Sequence, residues 1–209
     1  MYALIENNQI TKYFQNPKGF ILNDNQYSAD IFTKWSQAEK EAIGIYEVIT
    51  DSTNYKDTSY YNNTNPTIAF ANGQVTKSWS NATAKNLNDV LVTQEDIDDG
   101  LVIDKEVGDV KVEGLKTIHK RIIKNQAAGL LKPTDWYVVK ATEVSDYTVP
   151  SNITTYRASV RTKSNEMETA IDTAADVDAL KALYEYVNTG TEENPVYTRP
   201  LGEWPEEVI

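Results

Sequence analysis

The chain carries one histidine, no cysteine, and 31 acidic residues against 20 Lys and Arg. Those residue types decide which chemistries are open to it. A Ser-His-Asp arrangement would have to use His119, and no Gly-x-Ser-x-Gly elbow is present. His119 stands among Lys116, Lys120, Arg121 and Lys124, a set that reads as a solvated basic helix face. The counter-charge for that face is expected in the acidic stretch just upstream. Disulfides, thiolate chemistry and cysteine-ligated zinc are excluded by composition.

Asp96-Ile97-Asp98-Asp99-Gly100 invites comparison with a calcium loop. An EF-hand needs glycine at its sixth position and glutamate at its twelfth. Counted from Asp96, the fifth residue is Gly100 and the sixth Leu101, so the segment reads as a solvated acidic loop. A glycosidase-like carboxylate pair could be drawn from anywhere in so acidic a chain. There is neither a phosphate-binding loop nor a dinucleotide fingerprint. The expectation is a protein without catalytic residues, metal ligands or cofactor.

A net charge of −11 argues against nucleic-acid backbones and anionic membrane surfaces as partners. No apolar run approaches the roughly eighteen residues that a bilayer-spanning helix needs. Met1-Tyr2-Ala3-Leu4-Ile5-Glu6 lacks the basic region and apolar run of a secretory leader. The sequons at Asn62, Asn81 and Asn152 therefore read as chance matches. Thirteen Tyr and four Trp supply large amphipathic side chains for a core or an interface.

The elements that must position these residues change character along the chain. Tyr2 to Ile5 and Ile10 to Phe14 read as strands joined at Asn7-Asn8, with a third strand at Gly19 to Leu22. Ser36-Gln37-Ala38-Glu39 is a capping box, predicting a helix over Gln37 to Ile43 that stops at Gly44. Ile31, Phe32 and Trp35 are expected to pack just before it. Ile45 to Ile49 reads as a strand and Ser59 to Asn62 as a short one. Thr67 to Ala71 and Gln74 to Trp79 flank Asn72-Gly73, the preferred pair of a type I′ hairpin, which sets Phe70 opposite Val75.

Residues 81 to 113 are acidic with interspersed apolar positions, and Thr93-Gln94-Glu95-Asp96 reads as the cap of one helical turn ending at Gly100. From Val110 to Val187 the period is helical, a module expected to bind another protein. Leu115, Ile118, Ile122, Ile123, Ala127 and Leu130 form one stripe. Pro133 ends that helix, and Thr134 is expected to cap a second through Trp136, Val139 and Val144. Ile153, Tyr156, Val160, Ser164, Met167, Ile171 and Ala174 recur at helical spacing. Thr173 to Asp176 reads as a capping box opening a helix through Val177, Leu180, Leu183, Tyr184 and Val187, with Gly190 past its end. These helices imply an up-and-down bundle. Beyond Thr191, Pro195, Pro200 and Pro205 among Tyr197, Leu201 and Trp204 read as an extended tail lying on something. The expected class is α+β, with a β-rich domain over 1–104, a helical module over 105–190 and the tail over 191–209.

An ordered set of motifs runs through the helical module: Arg121 and Leu130-Leu131, then Thr134-Asp135-Trp136, then Tyr156-Arg157-Ala158-Ser159-Val160-Arg161 after Pro150. It resembles the C-terminal module of tail-fibre assembly proteins of tailed bacteriophages, over roughly residues 115 to 165. In style the whole chain is similar to small tail-region proteins of marine and cyanobacterial phages. Those open with a strand like Met1 to Ile5 and carry one like Gly44-Ile45-Tyr46-Glu47-Val48. Ile153 stands where that family often has Trp. Another helix and a Pro-aromatic segment follow the Arg pair, which favours a permanent structural role over a dedicated chaperone.

The resemblance implies a non-enzymatic protein that binds a tail fibre or adhesin, in the virion tail or in the host cytoplasm during assembly. It also implies self-association within a symmetric tail. Candidate partner-binding residues are Trp136, Tyr156, Arg157, Arg161, Tyr197 and Trp204. The residues alone give Trp136 a second role as a core anchor, and pair Arg157 and Arg161 with Glu143 or Asp146. Two other functions remain open: an acidic inhibitor of a host factor, and a carboxylate-based polysaccharide hydrolase.

Overall fold

Paired residues with positive φ fold the first strands back on themselves. The structure, a computed structural model, describes residues 1–207. β1 (Tyr2–Glu6) and β2 (Gln9–Phe14) meet at Asn7 and Asn8, whose φ angles are 50° and 66°. β3 (Phe20–Leu22) and β4 (Asn25–Tyr27) meet at Asn23 and Asp24 in the same left-handed region. β4 was not expected from its polar sequence. The expected hairpin of β7 (Thr67–Ala71) and β8 (Gln74–Ser78) forms at Asn72-Gly73, with Phe70 opposite Val75.

Between these hairpins lie α1 (Ile31–Lys34), α2 (Gln37–Glu41), β5 (Ile45–Thr50) and the short β6 (Tyr61–Asn62). The sheet order is β2-β1-β5-β8-β7, with β5 and β8 parallel and the other pairs antiparallel. The sheet curls into a half-barrel, bringing edge strands β2 and β7 near each other. Its core is Leu4, Phe14, Phe20, Ile31, Phe32 and Ile45, with Trp35 packed against them. Phe14 lies 4.9 Å from Phe20 and 5.4 Å from Phe32, ring to ring, within the range of favourable aromatic pairs. The Ser36 capping box forms in full, but α2 ends at Glu41, two residues before the expected stop. Gly44 is required there twice over. Its φ is 79°, and a Cβ would lie 2.6 Å from the Ile5 carbonyl oxygen.

The chain divides into two compact units after Thr83, at the two-residue strand β9 (Thr83–Ala84). That is about twenty residues before the boundary drawn from composition. The physical reason lies in Asp89. Its carboxylate accepts the Gly114 N–H at 2.7 Å and the Thr117 hydroxyl at 2.9 Å, tying the acidic segment to the helix that follows. These bonds hold the Asp89 carboxyl below its ordinary pKa. Within the segment β10 (Val90–Leu91) pairs with β11 (Val110–Val112). α3 (Gln94–Asp98) opens on the expected Thr93–Asp96 capping box. Asp96 accepts from Lys111 and Thr93, which lowers its pKa to about 2.

The second unit is built on α4 (Leu115–Leu131) and α6 (Ser151–Thr173). Every member of the predicted α6 stripe, from Ile153 to Ala174, is buried. On α4 the buried positions are Leu115, Ile123 and Ala127, whereas Ile122 is 41% exposed. A 3-10 turn (Lys132–Thr134) leads into α5 (Asp135–Glu143), none of whose residues is buried. Thr134 does not cap α5: its hydroxyl donates back to the Leu131 carbonyl. α7 (Val177–Ala182) is capped by the Asp176 carboxylate rather than by Thr173, whose hydroxyl donates to Ala170. It ends five residues before Val187. β12 (Val187–Asn188) then pairs with β13 (Tyr197–Thr198). The segment expected as an extended tail therefore supplies the second strand of a hairpin and folds back. Leu201 is fully buried, with its N–H on the Leu183 carbonyl. The structure thus has a curled sheet followed by a helical region, which matches the expected α+β class.

Burial separates two isoleucines that the sequence treats alike. Ile171→Ala should cost about 3 kcal/mol in urea denaturation, since it opens a cavity at a fully buried position. Ile122→Ala should cost less than about 1 kcal/mol.

Candidate protein-docking face

Leu130-Leu131, Thr134-Asp135 and Tyr156-Arg157 meet at the corner where α4 gives way to α5, whereas Arg121 pairs with Glu113 and Arg161 points outward. Tyr156 and Arg157 sit on the inward side of α6 and are both buried. Tyr156 packs with Ala127 and Val160, against Leu130, Leu131 and Trp204. Its hydroxyl donates a long 3.5 Å bond to the Leu130 carbonyl. Burial raises the Tyr156 pKa, so the phenol stays neutral.

Arg157 is 8% exposed. Its Nη1 donates to the Leu131 carbonyl at 2.9 Å and to the Thr134 hydroxyl at 2.6 Å. Its Nη2 pairs with Asp135 Oδ1 at 2.9 Å. The side chain thus reaches the end of α4, the 3-10 turn and the start of α5. This explains why Thr134 cannot act as a cap: its hydroxyl is committed to Leu131 and Arg157. The guanidinium does not pair with Glu143 or Asp146, because Asp135 and the turn lie closer along its reach. Arg161 makes no such pair either; it is exposed and donates to the Arg157 carbonyl at 3.4 Å.

Trp136 follows immediately, and it is no core anchor. It is 51% exposed, with its ring 3.8 Å from that of Tyr137. Val138, Val139 and Val144 are also exposed, Val139 by 53%. Lys140 lies over the rings of both Trp136 and Tyr147. An apolar helix surface of this kind costs free energy in water. The corner holds it in place because α5 starts from a turn that Arg157 fixes.

The remaining candidates separate. Trp204 folds back onto the Tyr156 cluster and donates from Nε1 to Gln126 Oε1 at 3.2 Å. Tyr197 stands apart on the β13 strand, 62% exposed. The basic face of α4 is directed to α6 more than upstream. Lys120 pairs with Asp172, Lys124 with Glu168, and Lys116 donates to the Asp172 carbonyl, while Arg121 meets Glu113. His119 is not solvated as expected. It is partly buried, its Nδ1 lying 2.6 Å from the Tyr184 hydroxyl, and burial lowers its pKa. No sequence signal connects residues so far apart in the chain. Among the described residues no cluster of three or more His, Asp or Glu could hold a metal ion, and no helix is long and apolar enough to cross a membrane.

Two outcomes follow from these contacts. Arg157→Met should cost about 2 kcal/mol and speed amide exchange along α5, whereas Asp135→Asn should cost less than about 1 kcal/mol. The second test concerns pH. The folded state binds a proton at His119 less readily than the unfolded chain, whose value is near 6.5. Stability from this group is therefore present above about pH 6.5 and declines as pH falls toward the lowered folded pKa. Stability profiles of the wild type and His119→Gln should diverge in that window; parallel profiles would contradict the burial of the ring. No protein-family model, curated protein or solved structure matches this chain.

Proposed function

We propose that this chain is a non-enzymatic component of the tail region of a tailed bacteriophage. It docks a tail fibre or adhesin through α5, as a retained part of the particle or as an assembly chaperone. The observation that carries the reading is the pair of exposed apolar side chains Trp136 and Val139, one turn apart on α5, a helix whose base is fixed by buried Arg157. Protein interfaces concentrate their energy in aromatic anchors seated in such apolar patches. A preordered helix avoids part of the entropy cost that a mobile segment would meet on binding.

The setting comes from the resemblance of Leu130-Leu131, Thr134-Asp135-Trp136 and Tyr156-Arg157 to the fibre-assembly proteins. Those three segments meet at one corner, which supports treating them as one functional unit. α4, α6 and α7 act as the helical scaffold behind the docking face. The chain's negative charge adds a second feature: it keeps free copies apart and soluble before assembly.

The test is affinity purification of the tagged chain from cells producing the phage, followed by mass spectrometry. A tail-fibre or adhesin protein should co-purify with the wild type. Trp136→Ala combined with Val139→Asp should lower its recovery by about tenfold or more with little change in melting temperature, because both side chains are exposed. Equal recovery with the double variant, or no fibre or adhesin protein at all, would refute the reading. Mass spectrometry of purified particles separates a retained component from a chaperone.

A further inference from the structure

A cleft of about 550 Å³ opens beside the C-terminal half of α4, next to the Tyr156 cluster, with which it shares Leu130 and Trp204 but no residue of α5. Gln126 and Leu130 line it from α4, Tyr184 from the segment after α7, and Arg199 and Trp204 from the returning chain. Its size suits one or two amino-acid residues.

The polar chemistry of this cleft is unusually one-sided. Trp204 Nε1 can only donate, and it donates to Gln126 Oε1 at 3.2 Å. That bond fixes the Gln126 amide so that its NH2 group is left to donate. Arg199 supplies the second donor group. Its Nε is buried with no hydrogen-bond partner, and its Nη2 makes only a long 3.5 Å bond to the Gly202 carbonyl. The guanidinium stacks 4.8 Å from the Tyr186 ring centroid and lies beneath Gly202, where a Cβ would come within 2.8 Å of Nη2. Glu203 is the nearest acid along the chain; its Oε1 accepts the Arg199 backbone N–H at 3.3 Å, and it forms no ion pair with the guanidinium. Among the described residues Arg199 forms no ion pair. A guanidinium with no ion pair and only one long Nη2 bond leaves donors open to an acidic acceptor that enters the cleft.

We propose that this cleft binds a peptide carboxylate with an apolar neighbour. The carboxylate meets Arg199 and the Gln126 NH2 group, and the apolar side chain rests on Leu130 and the Trp204 ring. A planar fork of donors suits a carboxylate, and the net negative charge of the chain makes this local cation a selective point rather than part of a general anion surface. The carboxylate can come from a chain terminus or from an acidic side chain. The site is independent of the α5 face and would stand if that face bound nothing.

The full chain, labelled with 15N, provides the test through the Trp204 indole and Gln126 amide signals. The probes are N-acetyl-leucine, N-acetyl-leucinamide, and the amide of N-acetyl-leucyl-glutamate. N-acetyl-leucine should shift both signals saturably and its amide should not. If the glutamate dipeptide amide binds as well or better, the natural source is an acidic side chain; if it does not, the source is a chain terminus. Arg199→Met should weaken N-acetyl-leucine by about tenfold or more. Gln126→Met, at an exposed helix position, should weaken it several-fold and serves if Arg199→Met does not fold. Equal shifts from acid and amide, no shift from either carboxylate, or unchanged binding in the folded variants would overturn the proposal.

Discussion

A guanidinium taken out of water must find acceptors within reach, and Arg157 finds them where α4 gives way to α5. The Leu131 carbonyl, the Thr134 hydroxyl and the Asp135 carboxylate all turn toward it. The carbonyl, one of the groups left open where a helix ends, is shared between Arg157 and the Thr134 hydroxyl. One buried cation therefore bonds the carbonyl end of one helix and, through Asp135, is tied to the first residue of the next. The apolar line of α6 makes this possible, because it seats Arg157 at a fixed height against α4.

That constraint explains why α5 can remain a helix with so little burial. A nine-residue helix is marginal by itself in water, and α5 buries none of its residues. Its order is set from one end, and its apolar side chains stay free for contact with something else. The first unit spends its large side chains differently. Phe14, Phe20, Phe32 and Trp35 are gathered on one face of the curled sheet, so its aromatics serve the core. The same residue types thus serve a core in one place and lie exposed on α5 in another, and burial is what tells them apart.

Local signals were read well from the sequence because they are local. Asn7-Asn8 and Asn72-Gly73 announce their turns, Ser36 and Thr93 their caps, and the α6 stripe its buried side. Asn23-Asp24 makes the same kind of turn, but the strand after it, Asn25-Gln26-Tyr27, is too polar to announce itself. What stayed hidden depends on partners distant in the chain. Asp89 joins the acidic segment to α4, so composition alone put the boundary too late. His119 looked solvated because nothing marks Tyr184 as its neighbour. Trp136 could be read as core or surface from spacing alone, and only the placement of α5 decides. Arg199 carried no motif at all; its importance lies in the acceptors it lacks.

The α5 face is the centre of the proposed function, and a photo-reactive amino acid placed at Val139 probes it most directly. Irradiation during phage production should join the chain to one segment of a fibre or adhesin protein, identified by mass spectrometry of the cross-linked peptide. The same group at Thr169, an exposed position on α6, should give no such product. A cross-link to the same fibre segment from both positions, or none from Val139, would contradict docking through α5.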